Sequence, residues 1–311
     1  MIYFRLLLSV VVAGALLFPS PTYADKESDD RMALYKKTAA LTDIPWEYLA
    51  AIDQYERQVN GDPEKDRVTA IKPDPMFWTG TNGEMPADLF PEGWGSDGNG
   101  DGKVEIDQDD DLLWSIADYV KSYGTTEEDI KIALWDYYQR DLTVQTIMNT
   151  AQVFRNFGTV HLKNRDFPLP LEANFSYRST WGDARGFGGR RVHEGTDIFA
   201  NYGVPVKSTT YGVVEMKGWN KFGGWRIGIR DIYNIYHYYA HLQNFAEDIK
   251  VGDVVKPGDV IGAVGASGYG PPGTSGKFPP HLHYGMYQDN GKNEWSFDPT
   301  PYLKRWEQMV D

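Results

Sequence analysis

Five of the six histidines in this chain fall between residues 193 and 283, in three short segments. These read VHEGTDIFA from Val192, HYYAHLQ from His237 and PPHLHYGMY from Pro279. If they serve one site, the fold must bring three distant segments side by side, which a sheet does readily. His281 and His283 are two apart and share one face of a strand. Tyr284 and Tyr287 suit that strand, and Pro279-Pro280 marks its start. His193 and Asp197 are four apart, a same-face spacing in a helix or a strand. The intervening Glu194-Gly195-Thr196, followed by Ile198 and Phe199, disfavours a helix. That separates the segment from the HExxH zinc helix, whose second His is here Asp197. His237, Tyr239 and His241 share strand parity. Histidine is the commonest metal ligand, and two imidazoles with one carboxylate leave a tetrahedral ion an open position. A lone His is usually a core or surface residue; three such segments in one glycine-rich region favour a shared metal site.

The segments His193-Glu194-Gly195-Thr196-Asp197, Tyr239-Ala240-His241-Leu242 and His281-Leu282-His283 resemble the HxGxD, YAHL and HLH motifs of the lysostaphin/LytM-type zinc endopeptidases, which cut peptide bonds in bacterial peptidoglycan. The resemblance runs on through Trp181-Gly182, Arg190-Arg191, Gly203-Val204-Pro205-Val206, Gly252–Gly258 and Ile261-Gly262 to Asp298-Pro299. It spans residues 166 to 304. It implies zinc held by His193, Asp197 and His283, with His241 and His281 as catalytic histidines. His237 matches no motif and is expected to be structural or to support a ligand. His161 lies outside the motifs and is expected at the surface.

With 311 residues and 41% hydrophobic content, the chain can hold two globular cores. Residues 1–24 read as a secretory signal: Arg5, an apolar run from Leu6 to Phe18, then Pro19, Pro21 and Thr22-Tyr23-Ala24. No further membrane-spanning segment is expected, so the protein is read as secreted to the cell wall. The chain has no cysteine, which excludes disulfides and thiol nucleophiles. A net charge of −13 argues against nucleic acid, because phosphate binding needs clustered Lys and Arg. It also argues against capture by an anionic wall through charge alone.

The first half reads as helical after a polar, disordered start at residues 25–30. Pro45 opens a helix in which Trp46, Leu49 and Ile52 form an apolar face, with Glu56 on the same face. Residues 60–95 read as a long loop anchored by Phe77, Trp78, Phe90 and Trp94. Thr125 and Glu128 form an expected capping box, opening a helix with Ile130, Ala133, Leu134 and Tyr137. Another helix is expected from 142 to 157, ending at Gly158. Pro45–Ile52, Glu56, the Asp97 loop and Trp114–Val120 resemble, more weakly, the lysozyme-like domain of lytic transglycosylases. That resemblance implies calcium at Asp97, Asn99, Asp101 and Asp111, and a catalytic acid at Glu56. Two departures weaken it: Gln108 stands where a calcium loop has its bidentate Glu, and Arg57 follows Glu56 where that family has Ser or Thr. The alternative for the loop is an acidic turn held by Asx hydrogen bonds.

The second half reads as all-β, with short runs at 204–206, 212–216, 225–229, 232–240 and 260–264, and a tail helix from Tyr302 to Met309. Ser267 is not in a G-x-S-x-G elbow. The expected architecture is therefore multidomain: a signal at 1–24, a mainly-α lysozyme-like domain at 25–158, a linker at 159–168, and an antiparallel all-β metallopeptidase domain at 169–311. The expected function is a secreted zinc endopeptidase acting on peptidoglycan. The alternatives are glycan cleavage through Glu56 and wall binding without catalysis.

Overall fold

The computed structural model describes residues 23–63, 67–74, 77–78, 93–186 and 191–309. Residues 1–22, most of the expected signal, and Phe90 lie outside the described residues. Among the described residues no helix is long and apolar enough to cross a membrane.

Among the described residues, the first half holds the helices α1 (Tyr23–Thr42), α2 (Trp46–Asn60), α3 (Asp109–Tyr123), α4 (Glu127–Tyr138) and α5 (Asp141–Phe157). The expected face of α2 is buried, with Leu49, Ile52 and Glu56 all inside. It packs in one core with Leu113 and Ile116 of α3, Ile130 of α4 and Ile147 and Phe154 of α5. Residues 25–30 are not a disordered start: they lie in α1, where Ser28 and Arg31 are buried. Just beyond them Arg31 ties the helix to the core: its guanidinium lies 3.3 Å from buried Asp53, which also accepts the Tyr35 hydroxyl at 2.5 Å. Helix α4 is capped one residue later than expected. Thr126 accepts from the Asp129 amide, and the Asp129 carboxylate accepts from the Thr126 amide. Helix α5 ends at Gly158 with φ 68, the left-handed cap that glycine adopts without a Cβ penalty.

Among the described residues twelve strands follow, β1 (Phe175–Tyr177) to β12 (Glu294–Phe297), then α6 (Thr300–Glu307). They include β5 (Pro205–Lys207), β6 (Gly212–Asn220), β9 (Val254–Val255) and β10 (Val260–Val264). The main sheet is antiparallel and runs β1-β4-β11-β8-β7-β6-β9, with β12 on β11 and β10 joining β8 to β5. Its centre comprises β4 (Thr196–Ala200), β11 (His281–Asp289), β8 (Ile235–Phe245) and β7 (Gly224–Asp231). One face is apolar: Ile198, Ile227, Ile229, Tyr239, Leu282 and Tyr284 are fully buried, and Leu303 and Trp306 of α6 close over them. The opposite face carries Asp197, His281 and His283.

The two halves share a packed junction. Val213 and Ile232 of the sheet region belong to the helical core. Phe157 meets Tyr211 edge-on at 5.0 Å. Arg140 forks onto the fully buried Asp289 at 2.9 and 2.7 Å, an ion pair of the bidentate kind. His161 sits partly buried beside Asp29 at 3.3 Å.

The acidic loop shows the Asx alternative. Asp97 accepts from the Gly100 and Gly102 amides, Asn99 from Asp101, and Asp101 from Lys103. Asp111 accepts from Gly98, Asn99 and Glu105. These oxygens cap the turn's own amides, the Asx arrangement. Among the described residues, only His193, Asp197 and His283 bring three ligand atoms together. The calcium expectation at Asp97, Asn99, Asp101 and Asp111 is therefore not carried by the fold.

Candidate metal centre and its flanking histidines

Pairing of β4 with β11 builds the floor of the site. Asp197 lies directly opposite His283, and Phe199 opposite His281. Alternation then sends all four side chains to one face while Ile198 and Leu282 enter the core. His193 arrives from the loop ahead of β4. The donor atoms converge: His193 Nε2 is 3.0 Å from Asp197 Oδ1 and 2.8 Å from His283 Nδ1, and His283 Nδ1 is 3.1 Å from Asp197 Oδ1.

The tautomers are set from behind. His193 Nδ1 donates to the Thr180 carbonyl at 2.7 Å, which leaves its Nε2 with a lone pair. Thr180 also steadies Asp197, whose amide donates to the Thr180 hydroxyl at 3.0 Å. Burial opposes a charge on Asp197, but the surrounding His193, His283 and His281 rings hold its carboxyl well below the usual carboxylate range. Burial lowers the His283 pKa against the pull of Asp197. Two neutral imidazole nitrogens and an anionic oxygen at such separations fit a divalent cation of the zinc type, which takes N and O donors and can leave one position open.

Two further histidines border this trio. His281 Nδ1 donates to the Pro279 carbonyl at 2.8 Å, and its Nε2 lies 3.7 Å from Asp197 Oδ1. His241 Nδ1 donates to the Ser267 carbonyl at 2.8 Å, and its ring meets that of His281 at 4.9 Å. Each therefore keeps Nε2 as the acceptor nitrogen. Burial, then the His281 and His283 rings, push the His241 pKa well below the ordinary histidine value. A neutral imidazole is a proton acceptor at pH 7. All five residues line one cavity of about 380 Å³.

His241 reaches this cavity by breaking the expected parity. Ala240 lies opposite His283 on the site face, so a regular strand would turn His241 into the core with Leu282. Instead the β7–β8 register shifts between Tyr239 and Leu242, and His241 adopts φ 62. A bulge with a left-handed non-glycine residue re-aims a side chain at a local cost. His237 stays on the core face. It is fully buried between Asp231 at 3.1 Å and the Tyr284 hydroxyl at 2.7 Å, and burial lowers its pKa.

Thr180 and Ser267 escaped the sequence reading because both act chiefly through a backbone carbonyl, which any residue type supplies. Only the neighbouring Trp181-Gly182 motif hinted at the first.

A model of the family described as Peptidase family M23 matches residues 191–299. The L-Ala--D-Glu endopeptidase of Bacillus subtilis (strain 168) is 55% identical over 317 residues, covering 97% of this chain and 97% of that protein. This chain belongs to peptidase family M23. Lysostaphin of Staphylococcus simulans is 36% identical over 115 residues, covering 36% of this chain and 22% of that one. The solved catalytic domain of that lysostaphin shows 31% identity and a TM-score of 0.34, covering 42% of this chain and 92% of the domain. As an M23 member the protein is a metallopeptidase, and the five residues above fall within the matched span.

Glu56 lies apart from this centre, in the helical core. It is buried, accepts the Tyr138 hydroxyl at 2.6 Å and the Asn60 amide at 2.5 Å, and its pKa is pushed up to about 7 by burial. A raised carboxyl pKa favours folding below about 4.5, where both states are protonated, and that contribution is lost as pH rises through about 7. Glu56→Gln is therefore expected to stabilise the protein at pH 8 by up to about 3 kcal/mol and to change little at pH 4. Denaturant unfolding at both pH values checks this; a variant equally or less stable at pH 8 refutes it.

Proposed function

We propose that this protein is a secreted zinc endopeptidase of bacterial peptidoglycan that hydrolyses the bond between L-Ala and D-Glu. The near full-length identity to the Bacillus subtilis L-Ala--D-Glu endopeptidase carries the choice of bond. His193, Asp197 and His283 would hold the metal. Zinc there supplies Lewis acidity, which acidifies water and polarises a carbonyl.

The protein's own groups do the rest. His193 is oriented by Thr180, and Asp197 keeps its charge despite burial. His241 and His281, each anchored through Nδ1 to a carbonyl, accept the proton of the attacking water at Nε2. As imidazolium they stabilise the tetrahedral oxyanion and return a proton to the leaving amine. Anchoring matters because a ring free to turn would lose the acceptor geometry. The signal at residues 1–24 belongs to the same reading, since the substrate lies outside the membrane.

The test is product analysis of digested peptidoglycan. New amino groups on D-Glu with new L-Ala carboxyl termini are expected. New amines on other residues, or none, would overturn the assignment.

A second reading, a lysozyme-like helical half acting on glycan, is favoured by one observation. Glu56, proton-bearing near neutral pH, borders an open groove with Tyr137, Tyr138, Phe77 and the Asn290–Lys292 turn. The same digest reports it: new reducing or anhydro sugar ends, lost in Glu56→Gln, support it, and their absence leaves the helical half without glycan chemistry.

A further inference from the structure

Resting on the L-Ala–D-Glu reading above, we propose that Arg191 binds the free carboxylate of the D-Glu residue and makes the enzyme selective for an acidic substrate. D-Glu has two carboxyl groups, and continuing the peptide consumes one. Where the peptide continues through the γ-carboxyl, the α-carboxyl stays on the carbon that bears the scissile nitrogen, either as a carboxylate or capped as an amide. The protein is acidic overall at −13, and Glu194 and Asp197 already line the cavity. A substrate anion entering here needs a local cation.

Arg191 supplies one on the wall of the same cavity, two residues before His193. Its guanidinium lies 5.2 Å from the Phe222 ring centroid and 5.4 Å from that of Tyr269, and it hydrogen-bonds the Tyr269 hydroxyl. Two aromatic faces thus pre-orient a planar fork, the group best matched to a carboxylate. Tyr269 is itself held in the left-handed region at φ 57 and stacks on His241 at 6.2 Å. This links the cationic wall to the histidine that borders the metal trio. Lys277 also lines the cavity, but its side chain is exposed and its amine donates to the Tyr269 carbonyl at 2.7 Å. It steadies the aromatic wall and lacks the fork. Glu194, also in the lining, accepts the Tyr287 hydroxyl at 3.3 Å, and its charge offers nothing to a substrate carboxylate.

The experiment uses the full zinc-loaded protein and two synthetic stem peptides, identical except that one carries the D-Glu carboxylate and its twin the primary amide. The carboxylate peptide should be cut with a kcat/KM higher by about 10- to 100-fold, mostly through KM, as for a lost charged hydrogen-bond pair. R191Q should cut the twins at comparable rates, and R191K should keep part of the preference. Bound zinc and melting temperature of the variants report folding independently. Equal cutting by the parent, a preference retained in R191Q, or its loss in K277Q instead would overturn the subsite. Cutting at a different bond, or of neither peptide, would overturn the bond assignment and the subsite with it.

Discussion

His283→Ala is expected to lose its zinc and His281→Ala to keep it, although both lose turnover. The two residues sit on one face of β11 two positions apart, yet their surroundings differ. His283 Nδ1 lies 2.8 Å from His193 Nε2 and 3.1 Å from Asp197 Oδ1, inside the trio. His281 Nε2 stands off at 3.7 Å from Asp197, with its ring against His241 and Phe278. Removing His283 deletes one of three donors, so metal affinity collapses. Removing His281 deletes a proton acceptor and oxyanion donor, a loss on the order of 100- to 10,000-fold in rate. Excess zinc should partly rescue His283→Ala and leave His281→Ala unchanged. The measurement is zinc stoichiometry beside peptidoglycan turnover. If His281→Ala sheds its metal as readily as His283→Ala, both are ligands and His241 alone remains to take the proton.

Gly195→Ala should weaken the metal centre although it replaces none of the three donor residues. A Cβ at Gly195 would meet the Tyr284 carbonyl oxygen at 2.6 Å and the His283 ring at 2.7 and 2.8 Å. The carbonyl belongs to a central strand and cannot retreat, so the His283 ring is displaced. Changes of this kind just outside a ligand set typically cost 10- to 100-fold in metal affinity. Turnover at limiting zinc should fall at least as far, while the far-ultraviolet circular dichroism stays that of the parent. A variant that binds zinc with parental affinity would show that β4 and β11 slide apart to admit a methyl group.

Much of this was legible in the chain itself. The two-residue step of His281 and His283, and the glycine and β-branched residues around Asp197, read as strand, and these three residues lie on β11 and β4, while His193 stands in the loop ahead of β4. The helical period around Leu49 and Ile52 located the first core. The reading failed where a polar residue is neutralised by a distant partner. Residues 25–30 look solvent-bound, yet they lie in α1, whose next residue, Arg31, meets the buried Asp53. At the acidic loop two alternatives stood open, and Asp97 and Asp111 serve backbone amides there.

What the sequence determined was the list of chemical groups: imidazoles, a carboxylate, no thiol, and the residue types that make strands in one half and helices in the other. What only the tertiary structure decided was which atoms of those groups point where. The sheet pairing chose Asp197 as the neighbour of His283. A bulge turned His241 out of the core that parity assigned it and left His237 behind. The carbonyls of Thr180, Pro279 and Ser267 chose the nitrogen each histidine presents. Backbone carbonyls and strand register carry no side-chain signature, so their effect on chemistry exists only once the chain is folded.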